Sequence, residues 1–223
     1  MAPPPFVRAV AFGLYQDRMK AAIHALKYDH LHPAARQLGV MLAQAIAQLG
    51  DQTPPEMLVI PIPLHRSKHA ERGFNQARSL AMHALRFLRK TRPEWRLKLA
   101  TSTLMRHRAT ESQAGLTPRQ RRLNVRGAFM VSQPKAVAQK HILVIDDIFT
   151  TGATARAAAQ TLIQAGAASV WVATLARARL NRPSRGSDAF FEHADVNPGA
   201  ALYARAADLQ PVINFISHDQ SSF

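Results

Sequence analysis

The sequence predicts an α/β fold: a mostly parallel sheet with helices on both faces, and a small helical segment in front of it. Three observations carry this. The apolar runs Met57 to Ile62, Ile142 to Ile145 and Ser169 to Ala176 are too short for helices and read as buried strands. Segments with helical apolar spacing separate them. The last two runs bracket an alanine-rich stretch, Ala153 to Ala165, closed by Gly166, and strand, helix, strand is the unit of parallel sheets.

Composition narrows the class. With 223 residues, 47% of them hydrophobic, the chain can bury a core of ordinary size and is not disordered. The absence of cysteine excludes disulfides, thiolate zinc sites, iron–sulfur clusters and a cysteine nucleophile. Lys and Arg number 29 against 14 Asp and Glu, a net charge of +15 that would attract nucleic acid, an anionic membrane surface or a phosphorylated small molecule alike. The basic residues are spread over Arg66 to Arg126 and Arg177 to Arg185 without forming one block. No apolar run approaches the roughly 18 residues of a membrane span. Met1 to Arg18, with its prolines and arginines, is no secretory leader, so the expectation is a cytoplasmic protein without membrane insertion.

In chain order, Met19, Ala22, Ile23 and Leu26, then Leu38, Met41, Leu42, Ile46 and Leu49, mark two amphipathic helices. Residues 1–56 therefore read as a helical N-terminal segment, a possible part of a hood over a site. Pro61 and Pro63 end the first strand near Ile62 and release a basic loop, Leu64 to Gly73. Phe74, Ala77, Leu80, Ala81, Ala84, Leu85 and Leu88 mark the next helix. A strand is expected near Leu97 to Leu104, then a long arginine-rich mobile loop, Met105 to Arg126, then a strand at Gly127 to Val131. The main domain spans 57–178. A C-terminal extension, 179–223, offers one helix candidate at Ala200 to Leu209.

The chemistry is concentrated in Ile142-Leu143-Val144-Ile145-Asp146-Asp147-Ile148-Phe149-Thr150-Thr151-Gly152-Ala153-Thr154. In open α/β sheets ligands bind beyond the carboxyl ends of the strands, where this run places two carboxylates and a hydroxyl-rich glycine turn that opens a helix. Unpaired N–H groups and the partial positive charge at a helix start suit a phosphate monoester. Acceptor-only carboxylates suit the two vicinal hydroxyls of a ribose. The implied ligand is a ribose 5-phosphate unit. Plain strand termination with Thr150 or Thr151 as a helix cap is the bland alternative. A phosphoacceptor receiver domain is excluded because Lys140 is the last lysine, leaving none for the later strand. A Walker-type loop is excluded because the glycine–lysine–hydroxyl triplet is absent. His65 with His69, and His30 with His32, lack carboxylates in a ligand spacing and read as loop residues, and Trp171 reads as sheet packing. No residue is assigned to a protein-held metal.

These thirteen residues resemble the phosphoribosyl pyrophosphate (PRPP) loop of type I phosphoribosyltransferases. Pro61-Ile62-Pro63-Leu64-His65 and Arg72-Gly73-Phe74-Asn75-Gln76-Ala77 narrow the resemblance to the ComF family, phosphoribosyltransferase-like proteins associated with natural competence. Arg108, Thr110, Gln113, Leu116, Arg121, Asn124, Val125, Gly127, Ala128 and Phe129 extend it, as does Leu26-Lys27-Tyr28. The resemblance implies that Asp146 and Asp147 bind the ribose hydroxyls and that Thr150, Thr151, Gly152, Ala153 and Thr154 hold the 5-phosphate. It also implies that the loop with Arg72 and Gly73 faces the pyrophosphate, with Mg²⁺ bridging the pyrophosphate oxygens. Cations near the departing pyrophosphate stabilise its developing charge, and a closing segment excludes water from an oxocarbenium-like ring. Met105 to Arg126 is placed like such a lid, with Arg108 and Arg121 as its candidate catalytic residues. Family members commonly begin with a cysteine-rich zinc-binding segment, whereas this chain starts where that module ends.

Two functions follow. One is phosphoribosyl transfer from PRPP to a nitrogenous base or amine, releasing pyrophosphate. The other is a non-catalytic nucleotide or single-stranded DNA binding factor, acting with competence or DNA-processing proteins in DNA uptake.

Overall fold

The structure, a computed structural model, describes residues 3–28, 32–50, 53–110 and 117–178. Its centre is a five-stranded parallel sheet built from β1 (Ala9–Leu14), β2 (Glu56–Pro61), β3 (Arg96–Leu99), β6 (His141–Phe149) and β7 (Ser169–Arg177), in the order β1-β7-β6-β2-β3. Helices α1 (Asp17–Tyr28), α2 (His32–Ala47) and α4 (Gln76–Thr91) cover one face. Helix α7 (Ala153–Gln164) and the antiparallel pair β4 (Leu104–Arg106) and β5 (Phe129–Val131) cover the other. Two short helices, α3 (Arg66–Arg72) and α6 (Pro134–Val137), and the eight-residue α5 (Pro118–Val125) complete the described elements.

Strand side chains alternate between the two faces, so the central runs must be apolar throughout. Leu143 and Ile145 of β6 pack with Val59, Trp171, Leu38, Leu42, Leu80 and Leu85. Their neighbours Ile142 and Val144 pack with Ile60, Val170, Val172, Ala158 and Leu162. Each such Leu or Ile, withdrawn fully from water, contributes about 1.5–3 kcal/mol. Trp171 lies in this core as its sequence context indicated, with Nε1 donating to the Ser169 hydroxyl at 3.1 Å. Helices α2 and α4 approach closely at Gly39, where a Cβ would sit 2.3 Å from the Cβ of His83.

The chain order positions the site. β2 lies between β3 and β6; α4, which follows β2, covers one face, while α7, which follows β6, covers the opposite face. The two connections leave neighbouring strands in opposite directions and open a crevice between the carboxyl ends of β2 and β6. The last pairing between them, Pro61 with Ile145, leaves Asp146 and Asp147 of β6 projecting past the end of β2.

Several elements differ from the sequence expectation. Residues 9–14, placed there in a helical N-terminal segment, form the edge strand β1, paired with β7 from Ala9↔Val172 to Leu14↔Arg177. The sheet thus draws on both sides of the boundary expected at Met57. The basic stretch Leu64 to Gly73 holds α3, which buries no side chain and so shows no apolar periodicity. The strand expected across Leu97 to Leu104 is two strands in two sheets. Within Met105 to Arg126, expected as a loop, the chain finishes β4 and forms α5 behind a reciprocal cap in which Thr117 and Gln120 bond each other's backbone N–H. β6 continues through the two aspartates to Phe149. His30 and the C-terminal extension with its helix candidate lie outside the described residues.

Candidate functional site

The crevice at the carboxyl ends of β2 and β6 is a cleft of ≈ 390 Å³. From β6 it receives Asp146, Asp147 and Ile148, and from the following turn and the start of α7, Thr150 and Thr154. From the far side come Ile62 and Leu64, Lys68 and Arg72 of α3, and Gln76 at the start of α4. Arg106 and Thr110 belong to the hairpin side, Arg121 to α5, and Tyr15, His24 and Lys27 to the β1–α1 connection and α1. The expected juxtaposition of the β6 carboxylates with the segment after Ile62 therefore holds.

Local sequence explains the frame. Asn75 caps α4 by accepting the Arg78 N–H at 3.0 Å, while its amide donates to the Ile62 carbonyl at 3.0 Å, tying the helix start to the end of β2. Gly73 closes α3 in the left-handed conformation (φ 71°), its N–H bonded to the His69 carbonyl. His65 is the N-cap of the same helix. Gly152, also left-handed (φ 72°), precedes α7, and a Cβ there would meet the Phe149 ring at 2.5 Å. The turn accordingly needs glycine on both conformational and steric grounds.

The two carboxylates are not equivalent. Asp147 is 6% exposed; its Oδ1 accepts the Ile148 N–H at 3.0 Å, and its Oδ2 forms an ion pair with the Lys27 ammonium. Asp146 Oδ1 accepts the Asp147 N–H at 2.9 Å. Burial, and then the charge of Asp147, push the Asp146 carboxyl well above the usual carboxylate range. Burial works against the Asp147 charge too, but Lys27 outweighs it and holds Asp147 below its ordinary value. For Lys27, burial pulls downward and the two aspartates more than offset it, so its ammonium is strengthened.

The expected site residues separate into groups. Asp146, Asp147, Thr150, Thr154, Arg72 and Arg121 come together around the cleft. Gly73, Gly152 and Ala153 shape its walls without lining it. The Thr151 hydroxyl is withdrawn from solvent with no hydrogen-bond partner among the described residues. Arg108 is elsewhere: its guanidinium donates to the Asn124 carbonyl at 2.9 Å and the Arg126 carbonyl at 2.6 Å, fastening the end of α5, and it does not line the cleft. Arg106, two residues earlier, does line it; its guanidinium lies 5.5 Å from the Phe129 ring centroid and bonds the Thr110 hydroxyl. Burial lowers its pKa while Asp146 supports its charge. Lys27, Lys68, Gln76 and Arg106 had no site role assigned from sequence. Strand alternation gave a signal for Arg106, which shares a face with buried Leu104.

The phosphoribosyl transferase domain family matches residues 75–191, just over half of the chain and inclusive of β6, the glycine turn and α7. The chain belongs to that family. Among curated relatives, the DNA utilization protein YhgH of Escherichia coli O157:H7 is 34% identical over 179 residues, covering 78% of this chain and 74% of the relative. The protein of the same name in Salmonella typhi is 32% identical over 177 residues, with the same coverage. Competence protein F of Haemophilus influenzae is 27% identical over 178 residues, 78% of this chain and 75% of the relative. These relatives make the chain a ComF-family protein with a type I phosphoribosyltransferase-like fold, as its motifs indicated. The family match begins at Asn75, so α1 and Lys27 lie outside it.

Proposed function

We propose that the cleft binds PRPP, or a nucleotide carrying a ribose 5-phosphate, and that from PRPP it transfers the phosphoribosyl group to a nitrogenous base or amine with release of pyrophosphate. One observation carries this reading: the β6 carboxylates and the threonines of the α7 turn line a single cleft together with Lys68, Arg72, Arg106 and Arg121. Opposed charges of this kind match a ligand with a diol at its centre and phosphates at both ends. In the reaction the bond from C1 to pyrophosphate breaks with its electron pair leaving on oxygen. The nitrogen lone pair then forms the new bond to C1, and the nitrogen loses its proton. The guanidinium and ammonium groups stand where the leaving charge grows, and the threonine turn anchors the 5-phosphate so that C1 stays in place.

The donor set suits a magnesium ion carried by the ligand rather than by the protein. Among the described residues no three acids or histidines gather, and Asp147 is engaged by Lys27. Mg²⁺ would enter on the pyrophosphate oxygens and lower their charge.

Calorimetric titration with PRPP, with and without Mg²⁺, tests the reading. Binding that is strengthened by Mg²⁺ and lost in Asp146→Asn/Asp147→Asn supports it, and equal affinity in the folded double variant contradicts it. A second reading, a non-catalytic cytoplasmic factor for single-stranded DNA in competence or DNA processing, is favoured by the names of the relatives and by the net charge of +15. Its signature is DNA affinity falling steeply as salt rises, because phosphate contacts release counterions. Among the described residues no helix is long and apolar enough to cross a membrane.

A further inference from the structure

Five lysines and arginines line the cleft against two acids, and one of them, Lys27, comes from α1, outside the family match. Its ammonium is paired with Asp147, at the carboxyl end of β6. An ammonium has three N–H donors. Asp147 takes one, and no other acceptor holds Lys27 among the described residues. The side chain keeps 19% of its surface and lines the cleft, so the remaining donors are left for a ligand.

The neighbourhood decides which ligand group they suit. Arg72 of α3 is near enough for its charge to oppose that of Lys27, and Lys68 stands one turn before Arg72 on the same helix. Like charges gathered in a half-buried place repel one another, and a fold retains them where an anion comes between. The two acids do not supply that anion. Asp147 has one oxygen on the Ile148 N–H and the other on Lys27, and burial and the Asp147 charge push Asp146 toward its neutral form. The excess of positive charge is therefore left for the ligand.

We propose that Lys27 is a pyrophosphate-binding residue: held by Asp147 where the sugar and pyrophosphate positions meet, its ammonium donates to the pyrophosphate oxygens together with Arg72. The inference rests on the phosphoribosyl reading above and adds to it a contact from α1. Pyrophosphate oxygens are charged acceptors, which a lysine and an arginine suit. Asp147 acquires a second task in this arrangement, because it fixes the end of a flexible four-carbon side chain. When the bond from C1 to pyrophosphate breaks, its electron pair stays on the pyrophosphate oxygen. The Lys27 ammonium hydrogen-bonds to that growing charge and keeps its own proton.

The test titrates the full chain, in the presence of Mg²⁺, with two probes: inorganic pyrophosphate and ribose 5-phosphate. Asp147→Asn keeps the ammonium. Lys27→Gln/Asp147→Asn removes it together with its counter-charge, so it has the net charge of the wild type and strands no buried carboxylate. Compared with Asp147→Asn, the double variant should bind pyrophosphate at least about tenfold more weakly, the loss of one charge-assisted hydrogen bond, and ribose 5-phosphate within about threefold. Equal pyrophosphate affinity in the two variants overturns the proposal, since Lys27 then serves only to neutralise Asp147. An equal loss of both probes overturns it too, because Lys27 is then part of the frame. Should the double variant not fold, the wild type carries the test. Its Lys27 Cε–H resonance, identified by its absence from Lys27→Arg, should move as pyrophosphate saturates the protein, and a resonance that stays in place contradicts the proposal. A wild-type protein that binds neither pyrophosphate nor PRPP sinks the phosphoribosyl reading and this proposal together, whereas the results above sink this proposal alone.

Discussion

Two concave regions lie on opposite parts of the sheet, and they differ in a way that volume does not register. The groove along the β3 edge is the larger, ≈ 840 Å³ against ≈ 390 Å³ for the cleft at the ends of β2 and β6. It is lined by Arg89, Arg96, Lys98 and Lys140 with a single acid, Glu56, all of them exposed. The smaller cleft sets two partly or fully buried acids among cations from four different elements, α1, α3, β4 and α5. Exposed charges are screened by water and salt and carry little information about a ligand. Opposed charges withdrawn from water are costly to assemble, and a fold retains them where a ligand completes them.

This contrast is open to attack by mutation. Replacing both Asp146 and Asp147 by Asn removes at least one charge-assisted acceptor, worth about 1.5–3 kcal/mol, so ribose 5-phosphate affinity should fall at least about tenfold. Arg96→Ala with Lys98→Ala, in the larger groove, should leave that affinity unchanged by the same titration. Stability should divide in the same way. Lys27→Met strands a buried carboxylate and should cost about 3–5 kcal/mol in urea unfolding at neutral pH, while Arg96→Met should stay within about 0.5 kcal/mol. Because the folded-state pKa of Asp147 is depressed, its stabilising contribution is present above the unfolded value of about 4 and is lost as pH falls through the folded value. The deficit of Lys27→Met should accordingly shrink below about pH 4.

Gly39→Ala lies outside both concave regions, where the added Cβ would press on His83. It should cost about 1–3 kcal/mol as an overpacked helix contact without altering ligand affinity. The smallest effect concerns sign alone. The pKa of Asp146 is raised in the folded state, so the stability of its protonated form is complete below the unfolded value and lost as pH rises through the folded one. At alkaline pH Asp146→Asn should be at least as stable as wild type and Asp147→Asn less stable, as read by thermal unfolding.

The strand, turn and helix from Ile142 to Thr154 were legible in the sequence because each part depends on near neighbours: an apolar run, a glycine with positive φ, an alanine-rich helix. The edge strand β1 was not, since Ala9–Leu14 is short, contains Gly13 and acquires its meaning from pairing with β7, far along the chain. Helices α3 and α5 were hidden for a different reason. Neither carries a regular apolar stripe: α3 buries no side chain, and α5 is rich in arginine and glutamine. The acid half of the site was visible because both aspartates directly follow one apolar run in the same strand. Its cationic half was only partly visible, for Lys27 and Arg106 reach the cleft from α1 and from the β4–β5 hairpin. Arg108, two residues beyond Arg106, had the same sequence merit, but the strand ends before it and its guanidinium turns to the carbonyls that finish α5.

The most direct measurement is a crystal structure of the protein with ribose 5-phosphate. The account predicts sugar hydroxyls on Asp146, the phosphate within the Thr150–Thr154 turn at the start of α7, and Lys27 still on Asp147. A ribosyl phosphate bound instead along the β3 groove, or in the cleft with its phosphate among Lys68, Arg72 and Arg106 and its hydroxyls away from β6, would contradict it.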